Sequence, residues 1–192
     1  MEAVYRNPKI YFIAGKAKNG KTTAGSIIKE EYEKRGKKVA STLYAKYLKD
    51  YAKTFFGWDG SEKTKPRELL QQLGTNIIRQ KLNMECFFVD RTIEDIKILS
   101  YFFDVIVVDD VRFEIEIEKP NTVFDNLVTI RIERQNFDNL LTEEQKKHPT
   151  ETALDNYDKF DYYIYNNGSI DDLRTEIISI IEKEESKDEE NE

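Results

Sequence analysis

Cysteine, histidine and long apolar runs are scarce in this chain. Among 192 residues there is one cysteine, Cys86, and one histidine, His148. A single cysteine excludes an internal disulfide framework, and Cys86 lies in an apolar run that predicts a buried thiol. No apolar run approaches the ~18 residues of a membrane span, and residues 1–9 lack the layout of a signal peptide. We therefore expect a soluble protein of the cytoplasm with no membrane partner.

Positive charge is also in short supply, with 30 Lys+Arg against 37 Asp+Glu and a net charge of −7. This balance excludes a protein that coats nucleic acid, although an acidic protein can still hold anions in local basic pockets. Residues 182–192 contain two lysines and seven acids, so their charge is 2 − 7 = −5 and the rest carries −2. We predict one domain over residues 1–181 and an acidic, disordered tail over 182–192.

Short apolar segments alternate with helical patterns along the chain. Runs rich in β-forming residues predict five strands, at 10–14, 38–43, 105–108, 127–132 and 162–165. The run at 105–108 is continuously apolar, which is typical of a central strand buried on both faces. Apolar spacings of three and four residues predict helices between the strands, so we expect an α/β fold with a mainly parallel, five-stranded sheet.

The segment after the first predicted strand, GKAKNGKT at 15–22, matches the phosphate-loop pattern G-x-x-x-x-G-K-[ST] at each fixed position. It opens a predicted helix, which is the context in which this pattern binds phosphate. Lys21 is expected to bridge the β- and γ-phosphates, and the Thr22 hydroxyl to hold Mg²⁺. The predicted ATP-binding residues are Gly15, Lys16, Ala17, Lys18, Asn19, Gly20, Lys21, Thr22 and Thr23.

Two acids and an arginine follow the central predicted strand. An acid at this place in a P-loop protein holds Mg²⁺, directly or through water. We predict Asp109 as the metal residue, although the sequence alone does not separate it from Asp110. Arg112 would point into the cleft at the carboxyl ends of the strands, where its guanidinium could form two hydrogen bonds to a phosphate. The alternative for Arg112 is a surface ion pair with Glu114 or Glu116.

Four further arginines place cations on both sides of the phosphate loop. Arg67 and Arg79 flank a predicted helix, whereas Arg131 and Arg134 end a predicted strand just before a polar segment. Phosphoryl transfer between two anionic partners requires such charge neutralisation together with positioning. A phosphate acceptor is already a nucleophile, so no dedicated general base is required.

Several segments, taken in order, resemble the phage-type deoxynucleoside monophosphate kinases. Residues 15–21 are similar to their G-K-x-[RK]-x-G-K loop, and residues 109–114 to their D-V-R-F-x-N-E segment. Residues 148–155 are similar to their H-x-[ST]-E-x-x-L-D segment, and 67–79 to their helical R…L-Q-x-L-G-T…R stretch. The resemblance covers most of the chain.

The resemblance implies a three-layer α/β/α P-loop kinase core over 1–43, 101–134 and 151–181. It also implies a substrate-binding helical insert at 44–100 and a lid at 135–150. ATP with Mg²⁺ would be the donor pair, and a deoxynucleoside 5′-monophosphate (dNMP) the acceptor. The implied catalytic residues are Lys21, Arg112, Arg131 and Arg134, and the implied substrate-binding residues are Arg67, Gln71, Arg79, Asp110, Arg112 and Glu151. The location would be a cytoplasm, that of the host if the protein is phage-encoded, and the oligomeric state stays open, a homodimer included.

Three positions depart from the family pattern. Thr22 stands where the family often has Asp, Lys46 where it often has an acid, and Ile115 where Asn is frequent. Animal-type phosphomevalonate kinase has a similar loop and a similar E-x-x-L-D segment, so it is the alternative enzyme. The alternative of another class is a P-loop switch module that binds nucleotide without catalysing transfer to an acceptor.

Overall fold

A computed structural model describes residues 3–135 and 137–191, so Asn136 of the predicted lid and Glu192 of the predicted tail lie outside the described residues. Its strands are β1 (Lys9–Ala14), β2 (Val39–Thr42), β3 (Val105–Val111), β4 (Leu127–Glu133) and β5 (Tyr162–Tyr165). They form one sheet in the order β2-β3-β1-β4-β5, and each neighbouring pair is parallel. The five predicted strands and the parallel α/β architecture are confirmed.

The described helices are α1 (Lys21–Lys34), α2 (Lys46–Phe56), α3 (Arg67–Gln71), α4 (Phe87–Leu99), α5 (Ile115–Asn121), α6 (Glu143–Lys147), α7 (Pro149–Thr152) and α8 (Ile170–Asn191). Helix α3 continues directly into a π-helix over Gln72–Lys81. The sequence did not predict α5, because its apolar residues alternate with acids and it contains Pro120. The predicted lid contains α6, which begins with a reciprocal capping box between Thr142 and Gln145.

The sheet separates two layers of buried side chains, because successive residues of a strand point to opposite faces. Tyr11 and Ile13 of β1 face a cluster built with α1 and α8. Ile10 and Phe12 face a second cluster that includes residues of α4 and α5, such as Phe88. The molecule is therefore a three-layer α/β/α sandwich, and the ends of β1, β3 and β4 meet at one edge of its sheet.

The predicted helical insert, 44–100, includes helix α4, which packs against the sheet. Ile93 and Ile96 of α4 are buried in the cluster beneath the sheet, so α4 is a helix of the core layer. Helices α2 and α3 share a small core of their own, which contains Ala52, Trp58 and Leu70. The apolar spacing of α4 could not distinguish a core helix from an insert helix.

The predicted acidic tail, 182–192, coincides with the end of α8, which the structure describes through Asn191. Lys9 is buried at the start of β1, and its Nζ lies 2.7 Å from Asp188 Oδ1 and 3.4 Å from Glu184 Oε2. Glu184 is itself buried and accepts a 2.7 Å hydrogen bond from the Tyr162 hydroxyl. A buried ammonium requires a counter-charge, and the acidic end of α8 supplies it.

No helix in the described part of the chain combines the length and the apolar character that a membrane crossing requires.

Removal of the end of α8 should destabilise the protein, since it would leave Lys9 buried without its carboxylates. We expect a chain of residues 1–181 to lose about 3 kcal/mol of unfolding free energy, measured by urea denaturation. A chain of residues 1–189 keeps Glu184 and Asp188 and serves as the matched control. Equal stability of the two truncated chains would contradict the ion pair.

Candidate active site

The phosphate loop connects β1 to α1 through three residues with positive φ. These are Gly15 (153°), Lys18 (61°) and Gly20 (104°). A Cβ atom on Gly15 would lie 2.4 Å from the carbonyl oxygen of Ile132, and one on Gly20 would lie 2.5 Å from Asn166 Nδ2. The two glycines of the motif are therefore required by close contacts as well as by backbone conformation. The loop leads into α1 at Lys21, as predicted.

Lys21 lies buried at the start of α1 and curls back over the loop. Its Nζ donates a 2.8 Å hydrogen bond to the carbonyl oxygen of Lys16. Burial, together with the nearby Arg112 guanidinium, lowers the pKa of Lys21 to about 7, against the opposing effect of Glu151 and Asp109. An anion that enters the loop would restore the full positive charge of this ammonium group.

A carboxylate of α7 joins the phosphate loop to Arg112. The backbone N–H of Ala17 donates to Glu151 Oε2 at 2.8 Å, and Arg112 Nη1 donates to Glu151 Oε1 at 2.8 Å. Arg112 Nη1 also donates to the carbonyl oxygen of Thr150 at 3.1 Å. Glu151 was predicted to bind substrate; here its carboxylate engages two groups that are suited to bind an anionic oxygen.

A second carboxylate of the same segment, Asp155, contacts the other side of the loop. Its Oδ1 lies 2.7 Å from Lys16 Nζ and 3.8 Å from Arg131 Nη2. Arg131 is buried at the end of β4, so this predicted catalytic residue does reach the loop. Arg134 does not, because it is exposed and its guanidinium lies over the Phe137 ring, 4.1 Å from the centroid.

Arg112 lies between two cavities at the carboxyl edge of the sheet. The smaller one is lined by the phosphate loop, Arg131 and Glu151. The second, of about 80 Å³, is lined by residues of α2, the π-helix, α4 and the β3–α5 connection, including Tyr44, Arg79 and Phe88. Arg112 and Thr150 line both cavities. A positive group therefore separates two adjoining sites.

The second cavity contains the predicted substrate residue Arg79 in an unexpected setting. Its guanidinium lies between the rings of Phe88 and Phe113, with its carbon 4.9 and 4.3 Å from their centroids. Its Nη2 donates to Glu116 Oε1 at 2.9 Å. The π-helix brings Gly74, five residues earlier, to the same face, since Arg79 Nη1 lies 3.4 Å from the Gly74 carbonyl oxygen.

Glu116 is a site residue that the sequence suggested only as one of two alternative ion-pair partners for Arg112. The structure buries it completely in the first turn of α5, and burial raises its pKa to about 7 against the opposing effect of Arg79. Arg112 pairs through its side chain with Glu151 and reaches Glu116 only through its backbone N–H. The available signal was the final Glu of the D-V-R-F-x-N-E segment, which Glu116 matches.

The two acids at the end of β3 have different roles. Asp110 is half-buried, and its oxygens accept the backbone N–H groups of Tyr44 at 2.8 Å and Ala45 at 3.0 Å. Asp110 thereby holds the start of α2 and lines the second cavity, and its contact with substrate stays a prediction. Asp109 is also half-buried and lies against α1, since a Cβ atom on Gly25 would be 3.5 Å from its Oδ2.

Thr22 and Asp109 suit a Mg²⁺ ion that takes most of its ligands from substrate phosphates and water. Thr22 lies in the first turn of α1, and the Thr22 side chain is exposed. Asp109 packs against the same helix at Gly25. Within residues 3–135 and 137–191 no group of three acidic, histidine or cysteine side chains could hold a metal. Mg²⁺ typically binds one or two protein oxygens and completes its shell with substrate phosphates and water.

Two predicted substrate residues of α3 are not brought into the site. Arg67 is exposed at the first position of α3, and Gln71 is half-buried at its end. Neither residue lines either of the two cavities. Lys46, which replaces the acid common in the resembling family, pairs instead with Asp95 at 2.8 Å.

Nucleotide binding should take up a proton, because an anion in the loop favours charged Lys21. With a pKa lowered to about 7, Lys21 in the free protein is largely neutral at pH 8, so we expect ATP binding to take up most of one proton. Calorimetry in two buffers with different ionisation enthalpies measures this quantity. The Lys21→Met variant should show no such uptake, and a wild-type value near zero would contradict the lowered pKa.

Solved structures with the same fold are kinases. The chain has a TM-score of 0.55 with Mycobacterium tuberculosis APS kinase in complex with AMPPNP and APS, at 11% identity over 91% of this chain and 98% of that one. It has a TM-score of 0.53 with Aquifex aeolicus shikimate kinase, at 14% identity over 91% and 96%. With Bacteroides thetaiotaomicron shikimate kinase the TM-score is 0.51, at 15% identity over 90% of this chain and 98% of that one. These similarities confirm the predicted P-loop kinase fold.

The sequence itself matches one family model. The model for deoxynucleotide monophosphate kinase matches residues 41–177, which include the second cavity, Arg112 and Glu151. A comparison with curated protein sequences gives no match.

Proposed function

Since the chain belongs to the deoxynucleotide monophosphate kinase family, we propose that ATP binds at the phosphate loop and a dNMP at the second cavity, for transfer of the γ-phosphoryl group. The products are ADP and the deoxynucleoside diphosphate. An oxygen of the acceptor phosphate forms the new bond to phosphorus as the bond to the ADP oxygen breaks. The family membership favours this reaction over phosphomevalonate phosphorylation, and it argues against a non-catalytic switch module.

The position of Arg112 is the observation that carries the proposal. Its side chain lines both the loop cavity and the neighbouring cavity, and it is 23% exposed. A guanidinium in this place can bind an acceptor phosphate on one side and face the transferring phosphoryl group on the other. A P-loop protein that only binds and hydrolyses nucleotide has no need of this second cationic site.

The donor side is formed by the phosphate loop and its cations. The backbone N–H groups of the loop and the N-terminus of α1 bind the ATP phosphates. Lys21 and Arg131 neutralise charge as the phosphoryl group moves. Thr22 and Asp109 would hold Mg²⁺, which neutralises the phosphate oxygens when it is bound. Arg134 reaches this site only if residues 135–150 move, so its role as a lid residue stays a prediction.

The acceptor side requires Glu151 to give up its present partners. A phosphate next to Arg112 competes with the Glu151 carboxylate for the same guanidinium and for the Ala17 N–H. Two adjacent anions repel each other, so we infer that α7 shifts when both substrates are bound.

Substitution of Arg112 should impair use of the acceptor and spare the donor. We expect the Arg112→Ala variant to raise the KM for its dNMP by about 30-fold, as for the loss of a charge-assisted hydrogen-bond pair of about 2 kcal/mol. Its Kd for ATP should stay within about threefold of wild type. Coupled ADP-release kinetics and ATP titration measure the two quantities.

The Arg91→Ala variant is the matched control, because Arg91 is an exposed arginine of α4 that pairs with Glu94. It should leave both constants unchanged. A collapse of ATP affinity in Arg112→Ala, with unchanged use of the acceptor, would contradict the assignment of Arg112 to the acceptor phosphate.

A further inference from the structure

The transfer reaction described above assigns no role to Glu116, although it is one of the most deeply buried carboxylates of the molecule. Glu116 is 2% exposed, and both of its carboxylate oxygens accept hydrogen bonds. Oε1 accepts from Arg79 Nη2 at 2.9 Å, whereas Oε2 accepts from the backbone N–H groups of Arg112 at 2.7 Å and Phe113 at 3.2 Å. One carboxylate thus touches both arginines of the second cavity.

The contact with Arg112 fixes the backbone turn between β3 and α5. This turn sets the direction in which the Arg112 side chain leaves the sheet, toward Thr150 and Glu151. A carboxylate that binds two successive backbone N–H groups holds such a turn rigidly. The direction of the Arg112 guanidinium therefore depends on Glu116, even though the two side chains do not touch.

The contact with Arg79 holds a guanidinium that is already confined by two aromatic rings. Phe88 and Phe113 fix its plane, and Glu116 fixes its rotation within that plane. Among the described residues, Arg79 Nε is a buried donor without an acceptor. A buried N–H is costly to leave unpaired, so Arg79 keeps one donor that no protein group uses.

We propose that Glu116 is a positioning residue for the acceptor: it holds Arg79 and the Arg112 turn in the geometry that binds the dNMP. This inference rests on the proposed function, since it assigns the second cavity to the acceptor. Glu116 does not touch the reacting atoms, and its effect is transmitted through the two arginines.

The charge state of Glu116 provides a signature of this role. The charged groups that face it are Arg79 from the π-helix and Asp110 from β3, whereas Arg112 reaches it through its backbone N–H. Tyr44, whose hydroxyl bonds the Glu116 carbonyl oxygen, stays neutral because burial raises its pKa well above the ordinary value. The pKa of Glu116 is raised to about 7, so the carboxylate loses its charge, and its ion pair with Arg79, as pH falls through 7.

The test compares Glu116→Gln with wild type at pH 8 and pH 6, with Arg91→Ala as the control. At pH 8 we expect the dNMP KM of Glu116→Gln to rise about tenfold, as for one lost hydrogen bond to a charged group. The ATP KM should stay within about twofold, and Glu116→Asp, which keeps the charge, should recover part of the loss. At pH 6 the ratio of variant to wild type should shrink to about twofold, because most wild-type Glu116 is then protonated.

Ionisation of the dNMP phosphate and of Lys21 is common to both proteins, so the ratio isolates Glu116. The positioning role would be overturned if the ratio of the variant's dNMP KM to that of wild type were the same at pH 8 and pH 6. It would also be overturned if Glu116→Gln raised the dNMP KM and the ATP KM equally while lowering thermal stability. If Glu116→Gln does not fold, calorimetric binding of dNMP to wild type decides, after correction for the separately titrated phosphate. A Kd that does not weaken from pH 8 to pH 6 would then overturn it.

The proposed function and the positioning role of Glu116 are contradicted by different results. If the wild-type protein neither binds nor phosphorylates any dNMP, both the proposed function and the positioning role are wrong. If the wild-type protein phosphorylates dNMPs, and the Glu116→Gln variant has the same KM and the same pH dependence, only the positioning role is wrong.

Discussion

The bridge from the Ala17 N–H through the Glu151 carboxylate to Arg112 is the interaction on which the site depends. Lys21, Arg112 and Arg131 are brought to one edge of the sheet, where like charges repel and burial strengthens the repulsion. The lowered pKa of Lys21, to which Arg112 contributes, is a direct expression of that crowding. Glu151 and Asp155, four residues apart on one short segment, supply the compensating negative charge.

The same bridge explains how one site can be stable when empty and still bind two anionic substrates. The carboxylates of residues 151–155 make hydrogen bonds that phosphate oxygens can make equally well, so exchange leaves no loop N–H or guanidinium unpaired. Because these carboxylates lie on the segment that follows the predicted lid, their displacement couples substrate entry to movement of that segment. Glu116 acts differently, since its partners on the acceptor side are held whether or not substrate is present.

Local patterns in the sequence predicted the parts of the molecule that local physics determines. The strand at 105–108 and the loop at 15–22 follow from continuous apolar character and from the steric need for Gly15 and Gly20. Long-range contacts decided the rest. The acidic end of α8 packs against Lys9, which is far away in sequence and needs its carboxylates, and Glu116 is buried because Arg79 and a backbone turn surround it. Charge alone predicted a solvated tail and gave no sign that Glu116 is buried, and periodicity could not reveal the π-helix that carries Arg79.

The most direct test of the account is the initial rate of ADP release from ATP and Mg²⁺ with each dNMP, each ribonucleoside monophosphate, phosphomevalonate, or no acceptor. We predict that at least one dNMP raises the rate far above the acceptor-free rate, with the corresponding diphosphate formed in equal amount to ADP. A folded, ATP-binding protein whose ADP release does not respond to any dNMP, or responds to phosphomevalonate alone, would contradict it.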